Sequence, residues 1–309
     1  MSGTRIFVTG ATGVVGRRVV PLLVAAGHAV TAVGRSPEKR SALERQGAAA
    51  VDVDLLDAAA LRRALHGHDA VLNLATHMPR STNRMLLPSA WRENDRVRRD
   101  GSAALVDAML AAGVPRLVQE SFAPIYEDGG DAWIDESWPV RPAPYNESVL
   151  DAERSEARFT ERGGTGVVLR FALFYGPDST FLHDAMPIAR RGWLALPGDA
   201  SAFVSSVSHD DAATAAVAAL GVPAGIYNVT DDEPLTRGAW GTALAAALGA
   251  PPPRPLPRWL TRLGGSTLEL LSRSQRMSNR KLRAAAGWAP RYTSVREGFA
   301  AVERRILRS

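Results

Sequence analysis

Near its N-terminus the chain reads Arg5-Ile6-Phe7-Val8-Thr9-Gly10-Ala11-Thr12-Gly13-Val14-Val15-Gly16. Its apolar run at residues 6–8 predicts a buried parallel strand, and a helical pattern follows from about Val14 to Ala26. Three glycines lie between these two elements. One allows a sharp turn, one lets the backbone approach a pyrophosphate, and one lets the helix pack on the strand. The stretch therefore predicts a dinucleotide-binding turn, with the phosphates at the helix N-terminus.

Strand and helix patterns alternate along most of the chain. Strands are predicted near 5–9, 29–34, 48–52, 69–74, 115–120, 166–171 and 225–229, and helices near 14–26, 37–46, 58–65, 94–112, 147–163 and 210–220. This alternation predicts an α/β fold, a Rossmann doubly wound parallel sheet. We expect a Rossmann domain over 1–177 and a smaller C-terminal substrate lobe over 178–309, with 207–229 returning to the sheet. The ligand is expected between them, at the carboxyl ends of the strands.

The composition is that of an ordinary globular protein, with 46% apolar and 22% charged residues in 309. The sequence contains neither the roughly 18 consecutive apolar residues of a membrane span nor a signal peptide, so we expect a cytoplasmic protein with no membrane partner. It has no cysteine, and its six histidines lack metal-ligand spacing, so no metal site is expected. The net charge of +5 comes from dispersed arginines, which favours a small-molecule substrate over nucleic acid.

Further short motifs follow the glycine turn along the chain. The turn has the form Thr-Gly-x-x-Gly-x-x-Gly, and later segments read Asp54-Leu55-Leu56-Asp57, Asn73-Leu74-Ala75, Leu169-Arg170-Phe171, Tyr175-Gly176-Pro177, Ser208-His209-Asp210-Asp211 and Gly287-Trp288-Ala289-Pro290. Together they resemble the extended short-chain dehydrogenase/reductase family, which includes sugar-nucleotide epimerases and dehydratases. The resemblance covers almost the whole chain, and it implies a nicotinamide dinucleotide as cofactor.

The expected cofactor-binding residues lie in the glycine turn and near the ends of the following strands. They are Gly10, Thr12, Gly13, Val14, Val15, Gly16, Arg35, Ser36, Asp54, Leu55, Ala75 and Phe171. A Cβ at Gly10 or Gly13 is expected to abolish cofactor binding while the fold survives.

The end of the second strand bears on which nicotinamide cofactor is used. It reads Val33-Gly34-Arg35-Ser36, without the Asp or Glu that usually binds the ribose hydroxyls of NAD. Arg35 can pair with a 2′-phosphate, and Ser36 and Lys39 can add hydrogen bonds. This favours NADP(H) over NAD(H), against the alternative that Arg35 merely begins a surface helix.

The catalytic pattern of the family is incomplete. In its Tyr-x-x-x-Lys motif the lysine lowers the pKa of the tyrosine, so that the phenol can exchange a proton with the substrate. Here Tyr145 is present, but Val149 stands in the lysine position, and the two lysines of the chain, Lys39 and Lys281, belong to other elements. Phe122 falls on the position of the family's serine, with Ser121 beside it. A shift of one residue along a strand turns a side chain to the other face.

Three hypotheses account for this break. The chain binds NADP(H) without catalysis, as a redox sensor or regulator. Alternatively, it is an enzyme whose substrate or solvent supplies the proton. In the third, another residue supplies the proton, and the nearest candidates are Tyr126, Tyr145, Ser121 and His77, of which Tyr145 and Ser121 are the expected catalytic residues. The second is favoured, because hydride transfer mainly needs positioning and a dry pocket.

The favoured function is NADPH-dependent reduction of a ketone on a small, aromatic polyketide-type substrate whose own phenol or enol supplies the proton. Met78, Phe122, Trp133 and Trp138 are expected to line a flat apolar slot. These departures resemble those of atypical family members in aromatic polyketide antibiotic biosynthesis, angucyclinone-type ketoreductases among them. A sugar-nucleotide epimerase or dehydratase is the alternative enzyme, but it needs a base to oxidise a hydroxyl first. The helices at 94–112 and 147–163, which pair in dimers of the family, carry many charges, so monomer and homodimer stay open.

Overall fold

The computed structural model describes residues 3–79, 81–85, 87–255 and 265–306. Its central feature is a sheet of seven strands in which every neighbouring pair is parallel. In spatial order the strands are β3 (Ala49–Val51), β2 (Ala29–Val33), β1 (Arg5–Thr9), β4 (Ala70–Asn73), β5 (Arg116–Phe122), β7 (Thr165–Phe171) and β11 (Gly225–Val229). The strand order runs outward in opposite directions from β1 and β4, so the sheet is doubly wound and its switch point lies between these two strands. The predicted fold class is confirmed.

All seven predicted strands of the sheet are present. They are β1 Arg5–Thr9, β2 Ala29–Val33, β3 Ala49–Val51, β4 Ala70–Asn73, β5 Arg116–Phe122, β7 Thr165–Phe171 and β11 Gly225–Val229. Shorter strands outside this sheet are β6 Trp133–Ile134, β8 Leu173–Tyr175, β9 Phe203–Val204, β10 Ser206–Ser208, β12 Leu235–Thr236 and β13 Arg276–Met277.

The six predicted helices are also present, one of them in three parts. The α-helices are α1 Gly16–Ala25, α2 Pro37–Glu44, α3 Ala58–Leu65, α4 Thr82–Met85, α5 Arg92–Arg96, α6 Ser102–Ala112, α7 Ser148–Glu161, α8 Thr180–Arg190, α9 His209–Ala218, α10 Arg237–Ala247, α11 Gly265–Ser272, α12 Arg280–Ala286 and α13 Val295–Ile306. A π-helical turn, Val97–Gly101, joins α5 to α6. Such turns often re-aim side chains at functional sites.

Helices cover both faces of the sheet, which explains why its strands read as continuous apolar runs. On one face, Val19 of α1 and Ala212 of α9 belong to the same buried cluster as Val8. On the other face, the cluster around Phe7 includes Leu105 of α6 and Phe159 of α7. The carboxyl ends of the strands stay uncovered by these helices, and this edge carries the glycine turn.

The C-terminal elements build a second core around Tyr175, Trp240 and Phe299, whose rings pack edge to face. The segment 121–146 holds the short strand β6 and two 3-10 turns, Ala123–Ile125 and Pro144–Asn146. Arg273 and Gln275 donate to carbonyls of this segment, which holds it against the C-terminal elements.

The division of the chain at 177/178 stays a prediction, although β11 does return to the main sheet. Residues 256–264 of the expected substrate lobe lie outside the described residues. Within the described ranges, no helix combines the length and the apolar character that crossing a membrane requires.

Candidate active site

The glycine turn lies at the carboxyl end of β1, and its three glycines have different roles. Gly10 has a φ of +64°, and a Cβ there would lie 2.2 Å from the carbonyl oxygen of Leu74. A Cβ at Gly16 would lie 2.2 Å from the carbonyl oxygen of Gly10. Both glycines are therefore required by the fold itself, so the expectation that a Cβ at Gly10 leaves the fold intact is wrong.

Gly13 is the glycine that a ligand can approach. It is exposed, and a Cβ there would meet the carbonyl oxygen of Gly10 at 3.2 Å, a contact that a small shift relieves. Thr12 is half-buried and Val14 is exposed, whereas Val15 is buried under the first turn of α1. The open part of the turn is thus Thr12 to Val14, where phosphate oxygens can reach the backbone.

The end of β2 presents the cationic group that the sequence predicts. Arg35 is exposed, and the Ser36 hydroxyl accepts the backbone N–H of Lys39, which caps α2. Sequence reasoning missed a carboxylate nearby, Asp52, whose Oδ2 lies 2.8 Å from Nη1 of Arg40. Because Arg40 neutralises this carboxylate, the charge of Arg35 stays available to an anion.

The Asp-Leu-x-Asp segment forms a tight turn after β3. Asp54 accepts the N–H of Leu56 at 3.0 Å, and Asp57 caps α3 by accepting the N–H of Ala60 at 2.9 Å. Leu55 packs against Gly101, where a Cβ would lie 3.5 Å from the Leu55 Cβ. The turn therefore holds Leu55 between the edge of the sheet and the π-helical turn Val97–Gly101.

Two further predicted cofactor residues lie at strand ends. Ala75 follows β4 and is half-buried at the sheet edge. The ring of Phe171 is only 1% exposed and packs on Phe174 at 5.4 Å between centroids, so Phe171 can face a ligand through its main chain alone.

A chain of buried hydrogen bonds joins the strand ends beneath the site. The Thr9 hydroxyl donates to Asn73 Oδ1 at 2.5 Å, and Asn73 Nδ2 donates to Gln119 Oε1 at 2.8 Å and to the Ser102 hydroxyl at 3.3 Å. These bonds satisfy polar groups that would otherwise be buried without partners. They also fix β1, β4 and β5 at a common level at the edge where the dinucleotide is expected.

The catalytic tyrosine of the family pattern is buried without a lysine. Tyr145 is 8% exposed, and its ring packs on Trp91 at 4.9 Å between centroids. Val149 is fully buried one helical turn further on, and Lys281 lies over the ring of Tyr227 on the edge strand β11. Burial raises the pKa of the Tyr145 phenol, and the charges of Arg273 and Arg98 offset this rise in part. A phenol in this setting is a weak proton donor.

Ser121 belongs to a buried ionic network. Ser121 is 1% exposed, and its hydroxyl donates to Glu153 Oε1 at 2.6 Å. Arg170 binds both oxygens of the same carboxylate, at 2.8 and 2.7 Å. This network ties β5 and β7 to α7, so the position of Ser121 favours a structural role over the predicted catalytic one.

The two other candidate proton donors, Tyr126 and His77, differ in their exposure. Tyr126 is fully buried and donates to Asn228 Oδ1 at 2.7 Å, and burial raises the pKa of its phenol to about 12. The His77 side chain is exposed, and its backbone N–H donates to Asn94 Oδ1 at 2.9 Å.

An aromatic cluster surrounds Tyr145, and two of its members, Trp91 and Met85, were not predicted. Phe122 packs with Trp91, Tyr145 and the half-buried Met85. Trp133 lies elsewhere, 43% exposed beneath the guanidinium of Arg276, and Trp138 packs on the main core. Of the expected slot residues in segment 121–146, Phe122 alone belongs to this cluster, because the segment turns away after β5.

Four polar residues near this cluster were also missed, and three of them, Arg98, Asn94 and Asn146, are buried. Arg98 Nη2 donates to Glu120 Oε1 at 2.7 Å, with the two side chains 5% and 12% exposed. Arg98 Nε, Glu120 Oε2, Asn94 Nδ2 and both amide atoms of Asn146 have no hydrogen-bond partner among the described residues. Glu120 could have been found from the sequence, because it is a charged residue within a mostly apolar strand. Nothing in the sequence distinguishes Arg98 from the many other arginines.

The residues of this site fit a nicotinamide dinucleotide. The open turn at Thr12–Val14 offers backbone to a pyrophosphate, and Arg35 offers charge at the β2 end. The unsatisfied atoms of Arg98, Glu120, Asn94 and Asn146 lie at the opposite end, beside Tyr145 and Trp91. Buried polar atoms of this kind are normally satisfied by a partner, and a polar ligand is one such partner.

Comparison with known proteins agrees with this geometry. Residues 10–221 match a family model described as NAD(P)H-binding. A 3-diazoavenalumate denitrifying reductase from a Streptomyces species is 34% identical over 309 residues, covering 96% of this chain and 99% of that protein. A 4-hydroxy-2-methyl-3-oxo-4-farnesyl-3,4-dihydroquinoline-1-oxide ketoreductase of Stigmatella aurantiaca is 28% identical, covering 66% of this chain and 60% of that protein. The crystal structure of a human epimerase-family protein with NADPH superposes with a TM-score of 0.79 at 22% identity, over 97% and 99% of the two chains, and shares the fold.

Proposed function

The chain belongs to the NAD(P)H-binding family, within the extended short-chain dehydrogenases/reductases, and is an NAD(P)H-dependent oxidoreductase; on this premise we propose that it reduces an acceptor that needs no proton from the protein. The acceptor class that meets this condition best is an aromatic diazo acid, in which hydride takes the place of dinitrogen. The cofactor is NADPH rather than NADH, because Arg35 is exposed where a 2′-phosphate would lie.

Whether the reduction consumes a proton explains the choice of acceptor. NADPH, when bound, supplies a hydride. An aryl diazonium carbon that accepts a hydride and loses dinitrogen gives a neutral arene, so no proton is consumed. A ketone that accepts a hydride gives an alkoxide, which must then be protonated. The first reaction therefore makes no demand on the residues that the family uses for proton transfer.

The observation that carries the proposal is the state of those residues. Tyr145 is buried on Trp91, Val149 replaces its lysine, and Phe122 fills the position of the serine. The relative named as a denitrifying reductase matches almost the full length of the chain, which supports the same class of acceptor.

The remaining residues of the site can bind and orient the substrate of such a reaction. Phe122, Trp91 and Met85 offer flat apolar surface to an aromatic ring and exclude water from the reacting carbon. Asn94 and Asn146 present unsatisfied amide atoms beside that surface, and these can orient polar substituents of the substrate.

A second candidate is reduction of an aromatic ketone whose neighbouring phenol supplies the proton. The relative named as a ketoreductase and the aromatic cluster both favour it. This candidate keeps the expectation of a substrate-derived proton, and the angucyclinone-type resemblance stays a prediction.

The decisive experiment combines substrate profiling with a proton-donor variant. The purified protein is given deuterium-labelled NADPH with an aromatic diazo acid, or with a polycyclic ketone carrying a free or a methylated neighbouring phenol. We expect dinitrogen release and deuterium on the former diazo carbon. Reduction of the free-phenol ketone alone would establish the second candidate. If no acceptor consumes NADPH while cofactor binding alters affinity for a partner protein, the chain is a redox sensor.

Tyr145→Phe tests the absence of a protein acid directly. We expect less than about a tenfold loss of rate, compared with the roughly 100- to 10,000-fold loss that follows removal of a general acid. Tyr126→Phe is the matched control, because that phenol is buried against Asn228, away from the aromatic cluster. A Tyr145→Phe protein that is folded but inactive would mean that Tyr145 is the proton donor.

A further inference from the structure

The buried pair Arg98–Glu120 contains one free donor and one free acceptor. Nη2 and Oε1 are joined at 2.7 Å, while Nε of Arg98 and Oε2 of Glu120 lack partners within the described part of the chain. Removing charged atoms from water without compensating hydrogen bonds destabilises a protein. A bound ligand that makes the missing hydrogen bonds therefore accounts for this pair better than a contribution to the stability of the fold does.

The strand register places this pair on the path of the cofactor. Thr9 is paired with Asn73, and Asn73 with Gln119. The next residues on these three adjacent strands are Gly10, Leu74 and Glu120, and Gly10 touches Leu74 in the glycine turn. The backbone of Glu120 therefore lies level with the glycine turn, at the edge where a dinucleotide running from Gly10 towards Tyr145 would lie.

The chemistry of the pair selects a neutral ligand group. The carboxylate of Glu120 repels phosphates and carboxylates, and the guanidinium of Arg98 repels cations. A hydroxyl both donates and accepts, so two neighbouring hydroxyls satisfy Oε2 and Nε together. In NADPH the nicotinamide ribose carries such a diol, whereas the adenosine ribose has a phosphate in place of one hydroxyl.

We propose that the Arg98–Glu120 pair holds the nicotinamide ribose through its two hydroxyls, and so positions the hydride-bearing ring in a chain that has Val149 where its family has lysine. The π-helical turn at Val97–Gly101 supports this role, because it interrupts the helix at the residue whose side chain reaches β5. Arg98 and Glu120 are positioning residues here, and neither touches the acceptor.

The test compares NADP⁺ with adenosine 2′,5′-bisphosphate, which lacks the nicotinamide riboside. Dissociation constants are measured by calorimetry for Arg98→Met, Glu120→Gln and the double variant Arg98→Met/Glu120→Met. We expect each to bind NADP⁺ about tenfold more weakly or worse, with unchanged affinity for the bisphosphate. Arg35→Ala is the control, since it should weaken both ligands alike.

Three outcomes would overturn the inference. Equal losses for both ligands would mean that the pair supports the fold. Unchanged NADP⁺ affinity with a raised KM for the acceptor would mean that the pair faces the substrate. A loss that disappears with the 3-acetylpyridine analogue of NADP⁺ would mean that it binds the carboxamide. The double variant guards against misfolding, because replacing both charges avoids leaving one buried and unpaired.

Discussion

His209 should make the protein less stable in mild acid. It is 2% exposed at the start of α9, with its ring 5.6 Å from that of Phe174, and Nδ1 has no hydrogen-bond partner in the described ranges. Burial lowers the pKa of the imidazole from 6.5 to about 4. The charges of Arg18 and Arg17 lower it further, and those of Asp178 and Asp210 act in the opposite direction.

The sign and size of the effect follow from these two pKa values. Between pH 6.5 and about 4 the unfolded chain binds a proton at His209 that the folded chain excludes, so stability falls as the pH falls. From pH 7.5 to pH 5 this one group should remove about 2 kcal/mol from the free energy of unfolding. That is a large share of the stability of a typical domain.

Urea unfolding of the wild type and His209→Gln at both pH values isolates this contribution. Glu136, Glu156, Asp211 and Asp231 have pKa values raised by burial and work in the opposite direction, but they are present in both proteins and cancel in the difference. We expect the wild type to lose about 2 kcal/mol more than the variant. Equal losses would refute the argument, because they would show that His209 is not held neutral by the fold.

The other predictions concern the cofactor. Arg35→Ala should weaken NADPH binding by about 1–3 kcal/mol and leave NADH binding nearly unchanged; equal losses in a titration would remove Arg35 from the 2′-phosphate site. Gly13→Val should lose cofactor affinity while keeping the melting temperature within a few degrees. Gly10→Val should instead lower the melting temperature strongly, because its Cβ would lie 2.2 Å from the Leu74 carbonyl oxygen at a φ of +64°. Retained affinity in Gly13→Val, or an unaltered melting temperature in Gly10→Val, would contradict these roles.

The interpretation of the catalytic region from sequence was partly right. The absence of lysine near Tyr145 could be predicted because it depends on composition alone, and the chain has two lysines. The aromatic slot was predicted from Met78, Phe122, Trp133 and Trp138. The structure places Phe122 with Trp91 and Met85, two residues that were not predicted, since contacts across the site are made between separate elements.

The sheet, the helices that cover it and the dinucleotide turn could all be predicted from local patterns. Apolar runs, helical periodicity and glycine spacing act over a few residues and need no distant partner. Three features became visible only in the folded chain: Gly10 serves the fold while Gly13 is open to a ligand, Ser121 is bound to Glu153, and Arg98 meets Glu120. Each of these features depends on a contact between residues far apart in the chain. A charge becomes buried, and a glycine loses the room for a Cβ, only once those elements have packed together.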